Sequence, residues 1–381
     1  MAAIVDFLNN ILWGYVLVYG LLAVGVFFTV RLGFLQFLHF NEMIRAIRGS
    51  RESDVHGISP FQALCTSLAS RVGTGNLAGV AVALYLGGAG AIFWMWMVAL
   101  VGMATGYAES TLAQLYKVRD GKGQYRGGPS VYISKGLNAP WAAVIFAICL
   151  ILSFGLVFNA VQANSIADAM LGAFGIPKLW MGIAIAVFAG VVIFGGLRSI
   201  VRFAELVVPL MAGIYVLLAL GIMAWNITEV PGVLVAIVKS AFGLEEAVGG
   251  ATGSITAAML NGIKRGLFSN EAGMGSAPNI AATATPAPHH PSSQGLVQAF
   301  GVFVDTIVIC TATAVMILLS GVMGPESELT GTQLTQAAME THLGTAGGYF
   351  IAIAILFFAF TSIVANYTYA ENAVVYLVAG N

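Results

Sequence analysis

The sequence predicts an all-α polytopic membrane protein, and three observations carry that prediction. Hydrophobic residues make up 59% of the 381 and charged residues 9%, about a third of the roughly 25% typical of soluble domains. The mean hydropathy is +0.89, and apolar runs of about 20 residues, the length of a helix that crosses a bilayer, recur along the chain. The 46 glycines suit helices whose backbones approach closely in lipid. The net charge of −1 offers no basic field for nucleic acid. Cys65, Cys149 and Cys310 sit in apolar segments without metal-ligand spacing, so they imply neither a disulfide framework nor a zinc site.

The N-terminus lacks a basic n-region and a small-residue cleavage site, so residues 7–30 read as a retained span, not a signal peptide. Residues 33–48 are too mixed to span and predict an amphipathic helix at the interface. Further spans are expected at 58–86, 88–116, 140–171, 177–196, 202–225, 250–288, 293–322 and 346–378, nine in all. Segments 231–243 and 331–343 read as short amphipathic helices on the outer side. With residue 1 outside, the inner loops hold Arg31, Arg45, Arg48, Arg51, Lys117, Arg119, Lys122, Arg126, Lys135, Arg198 and Arg202. Those are eleven of the sixteen basic residues, against Lys178 and Lys239 outside. Arg71, Lys264 and Arg265 fall inside spans. The chain reads as one domain over 1–381, divided into 1–56 (N-terminal span and interfacial helix), 57–226 (first repeat) and 227–381 (incomplete second repeat).

Two spans are interrupted. In SLASRVGTGNLAG (67–79), Gly73, Gly75 and Gly79 fall mid-span beside Thr74 and Asn76, with Arg71 just before. Each Gly weakens a helix by about 1 kcal/mol relative to Ala, and irregular backbone survives in a bilayer only where it lines a cavity or is buried in protein. In KRGLFSNEAGMGSAPNIAATATP, Gly266, Gly273, Gly275 and Pro278 interrupt the span beside Ser269, Asn270 and Glu271. An ion pair of Glu271 with Arg265 or Lys264 is the plainer reading of that carboxylate. The broken spans are the first and sixth after the N-terminal extra helix, the pattern of a five-plus-five inverted repeat with substrate near the midplane. Asp305 lies mid-span, where a charge is costly and usually functional; ion ligation, proton exchange and pairing with a basic residue are all open to it. Glu109 and Glu205 are possible partners for Arg71 and Arg265, and Glu205 stands at helical spacing from Arg202, which favours a local pair. His289 and His290 do not share a helix face, which argues against a metal there, and the FWMW aromatics read as packing and interface anchors.

The runs GGAGAIFWMWMVALVG (87–102), SRVGTGNLAGVAVAL (70–84), RGLFSNEAGMGSAP (265–278) and GGPSVYI (127–133) resemble the motifs of the alanine or glycine:cation symporter family, also called sodium:alanine symporters. The resemblance extends from about residue 7 to the end. It implies a leucine-transporter-type fold in the cytoplasmic (inner) membrane of a bacterium, with cotransport of a small neutral amino acid and Na⁺, no organic cofactor and no obligatory protein partner. In this family two further helices usually follow the segment that ends here, so the last two core helices are expected to be missing. Where family members often carry Trp, this chain has Asn366, which predicts an enlarged or re-tuned pocket.

The expected substrate site comprises the N–H groups at Gly73, Thr74, Gly75 and Asn76 for the carboxylate, carbonyls freed around Ser269, Asn270, Glu271 and Gly273 for the ammonium, and Asn366. The resemblance adds Phe158 and Gln162 as pocket lining. By analogy, one sodium takes carbonyls near Ala69 and Val72 with the hydroxyls of Thr361 and Ser362; bonds back to carbonyls one turn earlier are the plainer reading of those hydroxyls. Asn76 and Asp305 are candidates for a second ion. The preferred function is sodium-coupled uptake by alternating access. A cation channel would need rings of like residues, an enzyme would need a convergent nucleophile–base set or a metal site, and neither pattern appears. A truncated, transport-inactive fragment is the other alternative.

Overall fold

The computed structural model of the chain describes residues 7, 9, 11–52, 57–121, 123–244, 255–286, 289–323 and 328–379. Lys122, one of the basic residues counted above, and part of the span expected from residue 250 lie outside them. Among the described residues, six helices are long and apolar enough to cross a membrane. They are α1 (Leu12–Arg31), α6 (Gly90–Leu115), α8 (Pro140–Phe174), α10 (Gly196–Trp225), α14 (Pro291–Ser320) and α16 (Thr345–Ala379). Apolar α9 (Lys178–Phe194) is shorter, at 17 residues. The first expected core span is two pieces, α4 (Pro60–Arg71) and α5 (Gly75–Gly87), and the sixth is α12 (Ile255–Asn270) and α13 (Ala277–Ala281).

Two boundaries differ from the sequence reading. Residues 33–48 form two helices, α2 (Leu35–Leu38) and α3 (Phe40–Arg48). Phe34 is left-handed at φ 57, and His39 between them leaves helical geometry. Arg198 and Arg202, expected in a loop, belong to the first turns of the 30-residue α10. The two short segments read as amphipathic helices match well in extent, as α11 (Val230–Ala241) and α15 (Gly331–Leu343). The chain between α6 and α8 holds a small antiparallel hairpin, β1 (Val118–Arg119) and β2 (Tyr125–Arg126), then the short helix α7 (Pro129–Gly136). Proline stands at the start of α4, α7, α8 and α14, where its missing N–H costs nothing.

Burial separates inner from lipid-facing helices. Of the apolar window, 61% is buried in α14 and α16 and 56% in α6, but only 22% in α8 and α10. The outer helices turn Phe188, Val191, Leu206 and Leu217 outward, as a lipid-solvated surface requires. Helix α6 packs on α12 and α14, and α16 packs on α8, α4, α10 and α15. Both broken helices therefore lie inside a ring of packed helices. Their ends are tied: the backbone of Ile58 pairs with the strand-like segment at Ala284, with Ile58 N–H donating to Thr283 O at 3.2 Å and Thr285 N–H to Ile58 O at 3.0 Å.

The FWMW aromatics pack as expected. Phe93 and Trp94 meet Phe242 beyond α11, and Trp96 Nε1 donates to Thr311 Oγ1 at 2.8 Å.

Candidate functional site

Helix α4 begins on a capping box. Gln62 N–H donates to Ser59 Oγ at 3.1 Å and Ser59 N–H to Gln62 Oε1 at 3.0 Å, which satisfies two donors that a helix start otherwise leaves orphaned. Gln62 Nε2 also donates to Glu205 Oε2 at 2.8 Å. That fixed amide, not Arg202, is the partner of Glu205. Helix α4 ends because Val72 leaves the helical region at φ −76, ψ 84 and Gly73 follows with no room for a side chain. A Cβ on Gly73 would lie 2.5 Å from Ser362 Oγ and 2.9 Å from Gln162 Oε1. Helix α5 then restarts on a widened, π-type turn over Gly75–Gly79. Similar turns carry Ile151–Val157 in α8 and Phe303–Cys310 in α14. Such turns are rare and frequent at functional sites.

The second break runs from Glu271 to Ser276. Glu271, Gly273 and Gly275 have φ of 55, 84 and 75, conformations that glycine adopts without penalty and glutamate rarely does. At Gly275 a Cβ would also meet Phe146 Cζ at 2.7 Å and Pro129 Cγ at 2.8 Å. Both predicted interruptions are therefore real breaks in the helical ladder.

The breaks bond to each other. Asn76 Nδ2 donates to Ser269 Oγ at 3.2 Å and to Asp305 Oδ1 at 2.7 Å, and Ser269 Oγ donates to Asp305 Oδ2 at 2.7 Å. Thr306 Oγ1 also donates to Asp305 Oδ2, at 2.7 Å. Asp305 is fully buried and among the described residues has no basic partner, so of the three readings the ion pair drops out. Asn76 turns its oxygen to Gly73 N–H, at 3.0 Å, so the oxygens facing this cluster come from Asp305, Ser269 and Thr306.

Three of the four N–H groups expected to hold a carboxylate are occupied by amide oxygens. Gly73 N–H has Asn76 Oδ1, Thr74 N–H has Gln162 Oε1 at 3.1 Å, and Asn76 N–H has Gly73 O at 3.3 Å. Gln162 thus reaches the first break directly. Phe158 stacks on Phe268 of the α12 arm, centroids 5.1 Å apart, and on Phe154 at 4.5 Å.

Glu271 is not paired with Arg265 or Lys264. Its carboxylate accepts from Ser276 Oγ at 2.5 Å and from Ser70 Oγ at 3.1 Å, and the Ser70 hydroxyl also lies 2.6 Å from Asn366 Oδ1. Asn366 in turn donates to Asn159 Oδ1 at 2.9 Å. Asn366 therefore joins α16 to the first break, the second break and α8. Ser70, Ser276, Asn159 and Thr306 were missed by sequence reasoning; the only available signal was their polarity within apolar helices. Asn270 and Gly273 face the other way. Asn270 Oδ1 accepts from Ala272 N–H at 3.0 Å and lies near Gly102 of α6. Gly273 N–H donates to Glu109 Oε1 at 3.3 Å.

Oxygens also converge between α4 and α16. Ser362 Oγ lies 2.9 Å from Ala69 O and 3.0 Å from Phe358 O; Thr361 Oγ1 lies 3.5 Å and 2.9 Å from the same two carbonyls. The bonds one turn back are thus present, and the approach to Ala69 O is present too. Ala69 O is among the last carbonyls of α4, which have no intrahelical partner and form the negative end of the helix. Neutral oxygens at a helix C-terminus suit an alkali cation.

Arg71, at the end of α4, is 2% exposed. Its Nη1 donates to Gln298 O at 3.4 Å, and its Nε and Nη2 have no partner among the described residues. It forms no ion pair there.

A cavity of about 390 Å³ opens from Thr74 and Phe268 between α5, α8, α12 and α15. The opposite end is closed. Arg126 of the hairpin pairs with Asp120 and with Glu371 of α16, each at 3.2 Å. Asn372 Nδ2 donates to Gly127 O at 2.5 Å and to Asn279 Oδ1 at 2.7 Å.

The chain matches the model of the sodium:alanine symporter family over residues 1–381. It is 52% identical over 375 residues to the amino-acid carrier protein AlsT of Bacillus subtilis, covering 98% of this chain and 78% of that protein. It is 45% identical over 392 residues to the putative sodium/proton-dependent alanine carrier protein YrbD of Bacillus subtilis, covering 100% and 80%. It is 40% identical over 385 residues to the sodium/alanine symporter AgcS of Methanococcus maripaludis, covering 99% and 83%. A family match over residues 1–381, three carriers of this similarity and, among the described residues, six helices long and apolar enough to cross a membrane agree with one another: this integral membrane protein belongs to the sodium:alanine symporter family.

Proposed function

We propose that the chain imports a small neutral amino acid, alanine or glycine, together with Na⁺ across the cytoplasmic membrane by alternating access. One observation carries the reading: two broken helices meet at the Asn76–Ser269 contact, beside the oxygen cluster of Ala69, Thr361 and Ser362. The order of breaks, first and sixth after the extra helix, supports the five-plus-five repeat. The basic residues around the hairpin support an inside position for that end and an outside position for the N-terminus.

Na⁺ binds as cosubstrate between α4 and α16, held by Ala69 O with Thr361 and Ser362 and by the carbonyl end of Val72. Asp305, Ser269 and Thr306 form the place for a second ion, and the Asn76 oxygen joins them once it leaves Gly73 N–H. The amino-acid carboxylate takes the N–H groups of Gly73, Thr74 and Gly75 after displacing the Asn76 and Gln162 oxygens. The ammonium turns to Glu271 and the carbonyls near Ser269. Phe158 and Phe268 exclude water above it, and Asn366 borders the space for the side chain. Sodium fixes α4 against α16 and so shapes the N–H nest beside it; binding of one solute then favours the other by the same factor in both directions. Opening of the Arg126–Glu371 closure on the opposite side completes the cycle.

The test is uptake of labelled alanine, glycine and serine into proteoliposomes containing the purified chain, with and without an inward Na⁺ gradient. Saturable accumulation that needs the gradient and collapses with a sodium ionophore is expected. Accumulation that proceeds equally in potassium, or flux that never saturates, refutes the proposal and favours a channel.

A further inference from the structure

The cavity of about 390 Å³ above the first break falls in the size range of small-molecule sites. Its polar lining includes Thr74 just before α5, Ser165 and Asp168 of α8, Arg265 of α12, and Thr332 and Gln333 of α15. Arg265 is half-buried and forms no hydrogen bond or ion pair among the described residues. A guanidinium out of water without a counter-charge is costly, and its flat fork matches a carboxylate. On the facing helix, Asp168 accepts from Asn164 Nδ2 at 2.9 Å and pairs with Lys178. Each carboxylate oxygen has a second lone pair, so Asp168 can take one more donor. The cavity thus offers, on two of its lining helices, one cation without a counter-charge among the described residues and one anion that keeps an acceptor position beside its Lys178 pair. An inorganic anion answers only the first, whereas a zwitterion answers both and leaves the charge of the cavity unchanged. Thr74 Oγ1 is buried, without a partner, and lines the same space.

We propose that this vestibule is a second, outer amino-acid site, in which Arg265 holds the α-carboxylate and Asp168 the α-ammonium before the molecule descends to the broken helices. The assignment rests on the symport reading. Arg265 acts there as a binding residue and, among the described residues, has no ion pair with Glu109 or Glu205, the partners considered from the sequence. The side chain of the bound molecule faces Phe268 and Val161, which suits short apolar groups.

Equilibrium dialysis of labelled alanine against the purified full chain at saturating Na⁺ tests the site. The unaltered chain is expected to bind two alanines. Arg265→Gln and Asp168→Asn each bind one, with at least tenfold weaker affinity for the other. Gln162→Leu, altered at the central site, also binds one, and combining it with Arg265→Gln leaves none. A stoichiometry of one in the unaltered chain, or two in both vestibule variants, overturns the outer site and leaves symport standing. An unaltered chain that binds no alanine overturns both.

Discussion

Ser362→Ala separates an ion ligand from a packing hydroxyl. Ser362 is fully buried, and its Oγ lies 2.9 Å from Ala69 O. In the folded chain without sodium, the substitution removes two weak neutral bonds and leaves Ala69 O with the 3.5 Å approach of Thr361, a loss of about 1 kcal/mol. With sodium present, it removes one oxygen from a charged centre. Polar contacts to charged groups are worth about 1.5–3 kcal/mol, and each 1.4 kcal/mol is tenfold. The sodium concentration for half-maximal alanine uptake should therefore rise by about 10- to 100-fold. Thr361→Ala should raise it by less, because its oxygen stands farther from Ala69 O. The assay is initial uptake into proteoliposomes across a sodium series, with sodium and lithium compared. Saturating sodium should restore alanine affinity in both variants, since linkage acts through occupancy of the ion site. An unchanged sodium dependence, or a loss of alanine affinity that saturating sodium does not repair, refutes the assignment.

Three further outcomes follow from contacts elsewhere in the site. Asn76→Ala leaves Asp305 without its nearest amide donor at 2.7 Å and should lower stability by about 1–3 kcal/mol, read as an earlier thermal transition in detergent, while also raising the sodium requirement. Gly73→Ala forces a methyl to within 2.5 Å of Ser362 Oγ; insertion into the membrane should persist while alanine binding falls below detection, and normal binding would remove the close approach of α4, α8 and α16 from the mechanism. Arg126→Gln breaks the pair to Glu371 at 3.2 Å, so hydrogen exchange over residues 118–128 should accelerate and apparent alanine affinity on the outer side should drop several-fold. Glu371→Gln should reproduce both effects, and an effect of only one of the two substitutions would count against a shared closure.

The spans and the breaks were readable because each is written locally. Apolar length fixes a span, and clustered glycines beside polar side chains fix a break. Even the short helices α11 and α15 fell within a residue or two of their expected bounds. Partners were not readable, because they join residues far apart in the chain. Ser70 meets Asn366 across 296 positions and Arg126 meets Glu371 across 245. Nearest charges in sequence were the wrong guide twice. Glu271 turned from Arg265 and Lys264 to two serine hydroxyls, and Glu205 turned from Arg202 to Gln62. In both cases a rigid neighbour already held in place by a cap or a turn offers a neutral donor, and no side-chain order is lost in reaching a flexible cation. Asn270 illustrates the other failure. Adjacent to Glu271 in sequence, it faces α6, because the left-handed residue between helix and loop rotates the chain.

The electrostatics of the core supply the reason for ion coupling in the proposed cycle. Glu109, Glu271, Asp305 and Arg71 are all buried, three carboxyl groups to one guanidinium, and none of the four is ion-paired among the described residues. Hydroxyls and amides hold each carboxylate in place, but neutral donors do not cancel charge in a low-dielectric interior. A zwitterionic substrate adds no net charge and cannot cancel it either. A monovalent cation can. Its natural positions are the carbonyl end of α4 and the Asp305 cluster, both in contact with the first break through Ala69 and Asn76. An amino acid entering alone would leave the excess unrelieved while displacing the Gln162 oxygen from Thr74 N–H, whereas entry with sodium relieves the excess and stiffens the strand of backbone that receives the carboxylate. The requirement for both solutes is then a property of this charge arrangement, and neutralising Asp305 as Asp305→Asn should weaken the sodium requirement more than it weakens alanine binding.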